Sequence, residues 1–226
     1  MKEKMDFTYE SLKEATNTDT VFCRSLVSTG MLTEEQTRRA AGRYCLGRSK
    51  DGGVVFWEID DGLRVRDGKI MFYGEDCHRD KGHDPSWASS RMKQSYGYEG
   101  DIAIERCLFG LHLLKDEGTA EATVAVVEAE KTAVICSELF PQYLWLAAGG
   151  LSMLSVAKLY PLRDRKVVVF PDTDPDGTTY GAWQKIAEAA QPEFRHPIRM
   201  SRILEDHARP EQKAAKIDIV DLIFEK

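Results

Sequence analysis

The chain has no long hydrophobic run. None of its apolar stretches reaches the roughly 18 residues that a membrane-spanning helix needs. Met1 to Glu14 is charged throughout and has no apolar core of the signal-peptide kind, so a cytoplasmic location is the default expectation and no membrane partner is expected. Cysteine is scarce. The five residues Cys23, Cys45, Cys77, Cys107 and Cys136 are odd in number and widely spaced, and none forms a C-x-x-C pair. That pattern excludes a disulfide framework and a four-cysteine zinc ribbon and leaves reduced, buried thiols. Cys77, His78 and His83 offer too few partners for a zinc site. Positive charge is also in short supply, with 31 Lys and Arg against 37 Asp and Glu, a net charge of −6. A balance of that sign argues against nonspecific binding to nucleic acid. Its distribution softens the objection, because Arg38, Arg39, Arg43, Arg48 and Lys50 follow one another with no acid until Asp51. No internal repeat, low-complexity run or phosphate-binding P-loop is present.

What is there falls into two grammars. The first is helical and then alternating. Short helices are expected near Tyr9–Ala15 and Thr20–Ser28. Thr33 with Gln36 at the capping-box position and acids in the first turn predicts a helix to about Tyr44, with Gly47 closing the segment. Val54 to Ile59 has a strand pattern, Asp60-Asp61-Gly62 reads as a hairpin turn, and Leu63–Arg66 and Lys69–Tyr73 continue a β-meander with Asp67-Gly68 as a second turn. Residues 74–100 read as a long polar loop, of the kind that is usually functional or mobile, and a helical pattern returns near 101 with Ile104, Leu108, Leu111 and Leu114. From Ala122 strands alternate with helices: strands at Thr123–Val127, Tyr143–Ala147 and Lys166–Phe170, helices at Lys131–Phe140, Leu151–Leu159 and Thr179–Ala190. Pro192 and Pro197 bracket a last short strand, and a closing helix holds Asp218 to Leu222. Alternation of this kind means a parallel sheet. The expected organisation is a smaller α+β amino-terminal subdomain over residues 1–115 and an α/β domain with a short tail over 116–226, with Trp145, Trp183, Phe140 and Leu154 in the core.

In open α/β sheets ligands bind beyond the carboxyl ends of the strands. Two strands here end in acids. Val127 is followed by Glu128 and Glu130, and Phe170-Pro171 by Asp172, Asp174 and Asp176, then Gly177. Were the two strands neighbours, four or five carboxylates would converge. Two bare carboxylates ~5 Å apart repel by roughly 3 kcal/mol at an effective dielectric near 20, so such a cluster calls for a cation or protons. Oxygen ligands alone suit Mg²⁺ or Mn²⁺. By itself, Asp172 to Gly177 reads equally well as a turn with a helix cap, since Asp, Pro and Gly are all turn formers. The combination with Glu128, on a preceding α/β unit, tips the balance toward a metal site.

Val126-Val127-Glu128-Ala129-Glu130-Lys131-Thr132-Ala133 resembles the first motif of Toprim domains, in the form found in plasmid- and phage-type primases. Leu146 to Gly150 resembles the glycine-bearing second motif, and Val168 to Gly177 the third, D-x-D-x-x-G, in the right order and spacing. Upstream, Arg43 to Gly47, Val55 to Ile59 and Gly68-Lys69 resemble the amino-terminal subdomain of bacterial primase catalytic cores, and Asp218 to Leu222 looks like the short D-x-x-D ending of related plasmid proteins. Ala129 stands where the first motif usually has glycine, and the zinc ribbon that precedes primase cores has no counterpart in these residues.

The resemblance implies a Toprim α/β domain preceded by a primase-like subdomain, acting in Mg²⁺- or Mn²⁺-dependent phosphoryl or nucleotidyl transfer. It implies Glu128 as general acid/base or ligand, and Asp172 and Asp174 as principal ligands with Asp176 assisting. Arg43, Arg48, Lys69 and Lys131 are candidates for phosphate contact, although each taken singly reads as a solvated surface charge. Gly149 and Gly150 would let a phosphate approach the backbone. Trp57 and Tyr73 could stack bases but read more readily as packing, and the loop's His78, His83, Trp87, Arg91 and Lys93 could clamp a template. Implied partners are single-stranded nucleic acid and nucleotides, with a helicase or a separate zinc-ribbon module, in the replication of a plasmid, phage or other mobile element. A Toprim nuclease and a non-catalytic single-strand-binding subunit of a replication or mobilisation complex stay open beside primer synthesis.

Overall fold

The computed structural model describes residues 7–96 and 105–224, and the chain divides into two compact units, Met1–His112 and Leu113–Lys226. The expected helical turn at 101–104, with Ile104, lies outside the described residues.

The amino-terminal unit opens with three short helices, α1 (Tyr9–Glu14), α2 (Val21–Ser28) and α3 (Glu34–Arg43). Each starts at a threonine whose hydroxyl accepts a backbone N–H of the first turn: Thr8, Thr20 and Thr33. Thr33 and Gln36 form the reciprocal capping box that the sequence predicts, and such a cap stabilises a helix by ~1 kcal/mol. An antiparallel sheet follows in the order β1 (Gly47–Arg48), β2 (Val54–Ile59), β3 (Val65–Met71), β4 (Ser86–Trp87). Phe22, Tyr44, Phe56, Tyr73 and Phe109 form an aromatic core, and a second cluster gathers Leu12, Cys45, Val55, Trp57, Ile59 and Ile70.

Three expectations change here. Asp67-Gly68 is not a turn, since β3 runs through it, pairing Asp67 with Glu58 and Gly68 with Trp57. Glycine is required there by contact rather than by a turn: a Cβ on Gly68 would sit 2.6 Å from the Trp57 indole. The stretch 74–100 is not all loop, because β4 and then α4 (Ala88–Tyr96) form within it. Beyond 104, Leu111–Lys115 is a short 3₁₀ turn and Leu108 lies in irregular chain, so the apolar residues reflect burial and not a helix.

The second unit is a fully parallel sheet in the order β6-β5-β7-β8, with β5 (Thr123–Val127), β6 (Tyr143–Ala147), β7 (Val167–Phe170) and β8 (Ile198–Met200). Val124 to Val127 and Leu144 to Ala147 are wholly buried, as strands covered on both faces must be. Helix α5 (Glu130–Leu139) links β5 to β6, and α7 (Thr178–Ala190) links β7 to β8. The expected helix at 151–159 is broken into a 3₁₀ turn (Leu151–Met153), α6 (Val156–Leu159) and a second 3₁₀ turn (Tyr160–Leu162). Ser155, extended at φ −153°, restarts the helix by accepting from Lys158 N–H, and Pro161 limits its run. The last strand follows Pro197 rather than lying between the two prolines, because Pro192 sits in a 3₁₀ turn and the Gln191 side chain accepts from Ile198 N–H. Helices α8 (Ile203–His207), α9 (Pro210–Ala215) and α10 (Ile219–Phe224) close the unit, and only α10 is foreseen from the sequence.

Candidate metal centre

β5 and β7 are neighbours, with Val127 opposite Phe170, so Glu128 and Pro171-Asp172 leave the sheet side by side at its carboxyl edge. The strand order also turns about β5, with β6 on one side and β7 on the other, which is where α/β sheets open a crevice. The chain brings two further acids to this edge. Asp218 caps α10, accepting from Val220 and Asp221 N–H, while Asp221 reaches back to Asp218 N–H at 3.1 Å. Thr173 N–H bonds Ile217 O at 3.2 Å, and the Thr132 hydroxyl on α5 donates to the Asp218 carboxylate. These bonds fix the tail against the ends of β5 and β7.

Lys131 on α5 is the cation among these acids. Its ammonium lies 3.8 Å from Asp218 and 3.5 Å from Asp221, and its side chain is 10% exposed. It is therefore not a solvated surface charge. Asp172 is only partly covered from solvent yet deeply surrounded by protein atoms, and its carboxyl is pushed well above the usual carboxylate range. Burial is the largest cause, followed by Asp218, Glu128 and Asp221, with Lys131 opposing them. Burial and the neighbouring carboxylates thus favour the protonated form of Asp172, against the pull of Lys131.

The donor set is all oxygen and partly buried, which fits a hard divalent cation. In this conformation, among the described residues, no three such side chains are already grouped as ligands of one ion. Binding would therefore draw Asp172 and Glu128 toward a common point.

Asp174 stands apart. Its carboxylate accepts backbone N–H from Asp176 (3.1 Å), Thr178 (2.9 Å) and Thr179 (2.6 Å), ahead of α7. Burial pushes its pKa up, but the hydrogen bonds from Thr179, Thr178 and Asp176 outweigh that and hold it down at about 2. This is the helix-cap geometry that the Asp-Pro-Asp-Gly stretch also allowed. Asp176 is exposed on the same turn, and Gly177 takes φ +66° to enter the helix.

The glycine pair lies where the resemblance implies. Ala148 and Gly149 N–H bond Val127 and Glu128 O, both at 2.9 Å, which sets Gly149-Gly150 beside Glu128. Gly149 adopts φ +95°, and a Cβ there would come within 3.4 Å of the buried Glu130 carboxylate. Lys158, also buried, donates to Ala148 O at 2.9 Å and supports this turn from below. Asp218, Asp221 and Lys158 are the neighbours of the site that sequence reasoning did not place in it. The D-x-x-D spacing was the only signal for the first two, and nothing signalled Lys158.

Arg43, Arg48 and Lys69 belong to the amino-terminal unit. Arg43 ends α3 and its carbonyl contacts His112 Nε2 at 3.1 Å, Arg48 on β1 is half-exposed, and Lys69 lies on β3 opposite Phe56. Trp57 and Tyr73 are core residues, 8% exposed each, so packing is their role. The loop's side chains are engaged within the unit: Arg106 stacks 3.2 Å over Trp87, Arg91 pairs with Asp51 at 2.6 Å, and His83 contacts Asp80 at 2.7 Å and stacks on Phe72.

A parallel sheet with paired acid-tipped strands, following an antiparallel α+β unit, defines the class: a Toprim-type fold of the primase catalytic core kind. The E. coli primase catalytic core superposes with a TM-score of 0.54 at 15% identity, covering 86% of this chain and 67% of that one. A DnaG catalytic core gives 0.54 at 14% identity, over 85% and 70% of the two chains, and a DnaG primase catalytic domain bound to ssDNA gives 0.54 at 13%, over 84% and 69%. At such identities the likeness is one of fold. The chain belongs to the family described as Domain of unknown function (DUF6371), whose model matches residues 20–173. A sequence search of curated proteins finds no match. No helix among the described residues is long and apolar enough to cross a membrane.

Proposed function

We propose that the chain is a primase-like nucleotidyltransferase that extends short primers on single-stranded nucleic acid, for a plasmid, phage or other mobile element in the cytoplasm. The observation that carries this reading is the cluster of Glu128, Asp218 and Asp221 around Asp172, at the carboxyl ends of the neighbouring strands β5 and β7. Glu128 and Asp172 would hold Mg²⁺ or Mn²⁺, and Asp174 would join only by giving up its cap bonds to α7. The chemistry such a cation supplies is activation of a 3′-hydroxyl and neutralisation of the leaving oxygen. Glu128 would accept the hydroxyl proton, Lys131 holds the Asp218–Asp221 turn against the site, and the side-chain-free Gly149-Gly150 turn leaves room for a phosphate. A helicase and a separate zinc-ribbon module are the partners such an activity calls for.

The test is incorporation of labelled nucleotides on a single-stranded template. Expected is Mg²⁺- or Mn²⁺-dependent extension that Asp172→Asn lowers by about 100-fold or more, a loss of ~2.7 kcal/mol in transition-state stabilisation. Release of fragments from labelled DNA in place of extension would assign the same centre to a nuclease. Neither product from the wild type would leave a binding subunit.

A further inference from the structure

Lys131 stands where elementary electrostatics does not favour a cation. It is the second residue of α5, and its side chain is 10% exposed. The first turn of a helix is already electropositive, because its backbone N–H groups point out along the axis, and it favours acids. Ala129 at the N-cap offers those groups no side-chain acceptor. Burial adds a second cost, since an ammonium taken out of water stays charged only when it is paired. The carboxylates that offset both costs come from the tail. Lys131 Nζ lies 3.5 Å from Asp221 and 3.8 Å from Asp218. A direct charge-assisted hydrogen bond is about 2.7–2.9 Å long, so the ammonium sits between the two acids and does not close on either. Both acids are also held by other bonds. Asp218 accepts Val220 N–H, Asp221 N–H and the Thr132 hydroxyl, and Asp221 accepts Asp218 N–H. The tail therefore presents two fixed carboxylates with one cation seated between them, beside Asp172, whose carboxyl feels both the acids and the ammonium.

We propose that the Lys131 ammonium takes the place of a second divalent cation, so that the centre holds one Mg²⁺ or Mn²⁺ per chain. Centres that use a metal pair set the two ions about 3.5–4 Å apart, which requires two adjoining groups of carboxylates. Both groups are here: Glu128 stands with Asp172 at the ends of β5 and β7, and Asp218 and Asp221 reach the same edge from the tail. The second group is already filled by a charge that belongs to the chain. A fixed positive charge repels a divalent ion from the same acids. It also differs from an ion in what it can do, since an ammonium donates hydrogen bonds and offsets charge but coordinates no water and acidifies none. Lys131 is therefore a positioning residue: it keeps Asp218 and Asp221 ionised and in place, and leaves the Lewis-acid part to a single ion on Glu128 and Asp172. This inference rests on the reading above that those two residues hold the metal.

The experiment counts Mn²⁺ on the full chain by equilibrium titration, with the free ion read by electron paramagnetic resonance and no turnover required. Expected for the wild type is one tight ion per chain, with any further ion at least about tenfold weaker. Lys131→Met should raise the count to two tight ions. Lys131→Arg, which keeps the charge, should leave it at one. A lysine that merely braced the tail would shift the melting temperature and not the count. Lys131→Gln is the milder second variant, used if Lys131→Met does not fold, and it too should take up the second ion. Two tight ions on the wild type, or a count that neither Lys131→Met nor Lys131→Gln raises, overturns the inference. No ion on the wild type contradicts the metal reading and this inference with it, whereas two ions leave the metal reading standing and overturn this inference alone.

Discussion

Both units bury carboxylates, and they treat them in opposite ways. In the amino-terminal unit every buried aspartate described has its counter-charge. Asp60, its side chain 5% exposed, meets Arg64 at 2.9 Å and Arg66 at 2.7 Å and accepts Gly62 and Arg64 N–H. Burial would raise its pKa, but those hydrogen bonds hold it below the usual range. Asp67, 1% exposed, accepts from Gly68 and Ser89 and lies 3.1 Å from Arg106. In the second unit, Asp218 and Asp221 pair with Lys131, and Asp172, beside Asp218, Glu128 and Asp221, is driven toward its neutral form. A balanced acid holds a fold together, while an unbalanced one is kept at a cost to the fold that a ligand can offset.

The largest effect should follow from breaking a balanced pair. Asp67→Asn leaves the Arg106 guanidinium short of its closest partner and should destabilise the amino-terminal unit by about 3 kcal/mol, read as a lower urea midpoint at unchanged slope. Asp172→Asn should act with the opposite sign, raising the melting temperature of the metal-free protein at neutral pH by a few degrees, about 1 kcal/mol. The sign follows from the raised pKa of Asp172. The folded chain binds more protons than the unfolded one above the ordinary carboxylate value, so stability falls as pH rises toward the folded value. Thermal melts from pH 4 to 8 should show that decline in the wild type and a flatter profile in Asp172→Asn. Loss of stability in the variant would place Asp172 with the balanced acids instead.

The sequence carried this contrast unevenly. Strands β5, β6 and β7 were legible because wholly buried parallel strands are continuous apolar runs, and the acids after Val127 and Phe170 followed directly from their ends. Thr33 and Gln36 announced α3 through local hydrogen bonds alone. The Asp67-Gly68 pair misled, since turn chemistry and close packing both ask for glycine, and only the Trp57 indole on the next strand tells them apart. The tail's part in the site was invisible for a similar reason. Asp218 reaches Thr132 across 86 residues, a contact that no local pattern encodes. Asp174 had two readings in sequence, and its bonds to Asp176, Thr178 and Thr179 now show the cap directly.

On the reading proposed above, the acids around Asp172 await a divalent cation. Calorimetric titration of the wild type and Asp172→Asn with Mg²⁺ and Mn²⁺, repeated in two buffers of different protonation enthalpy, tests it most directly. The wild type should bind saturably with release of a proton, and the variant at least tenfold more weakly with no proton release. Equal binding by both proteins, or none by the wild type, would contradict it.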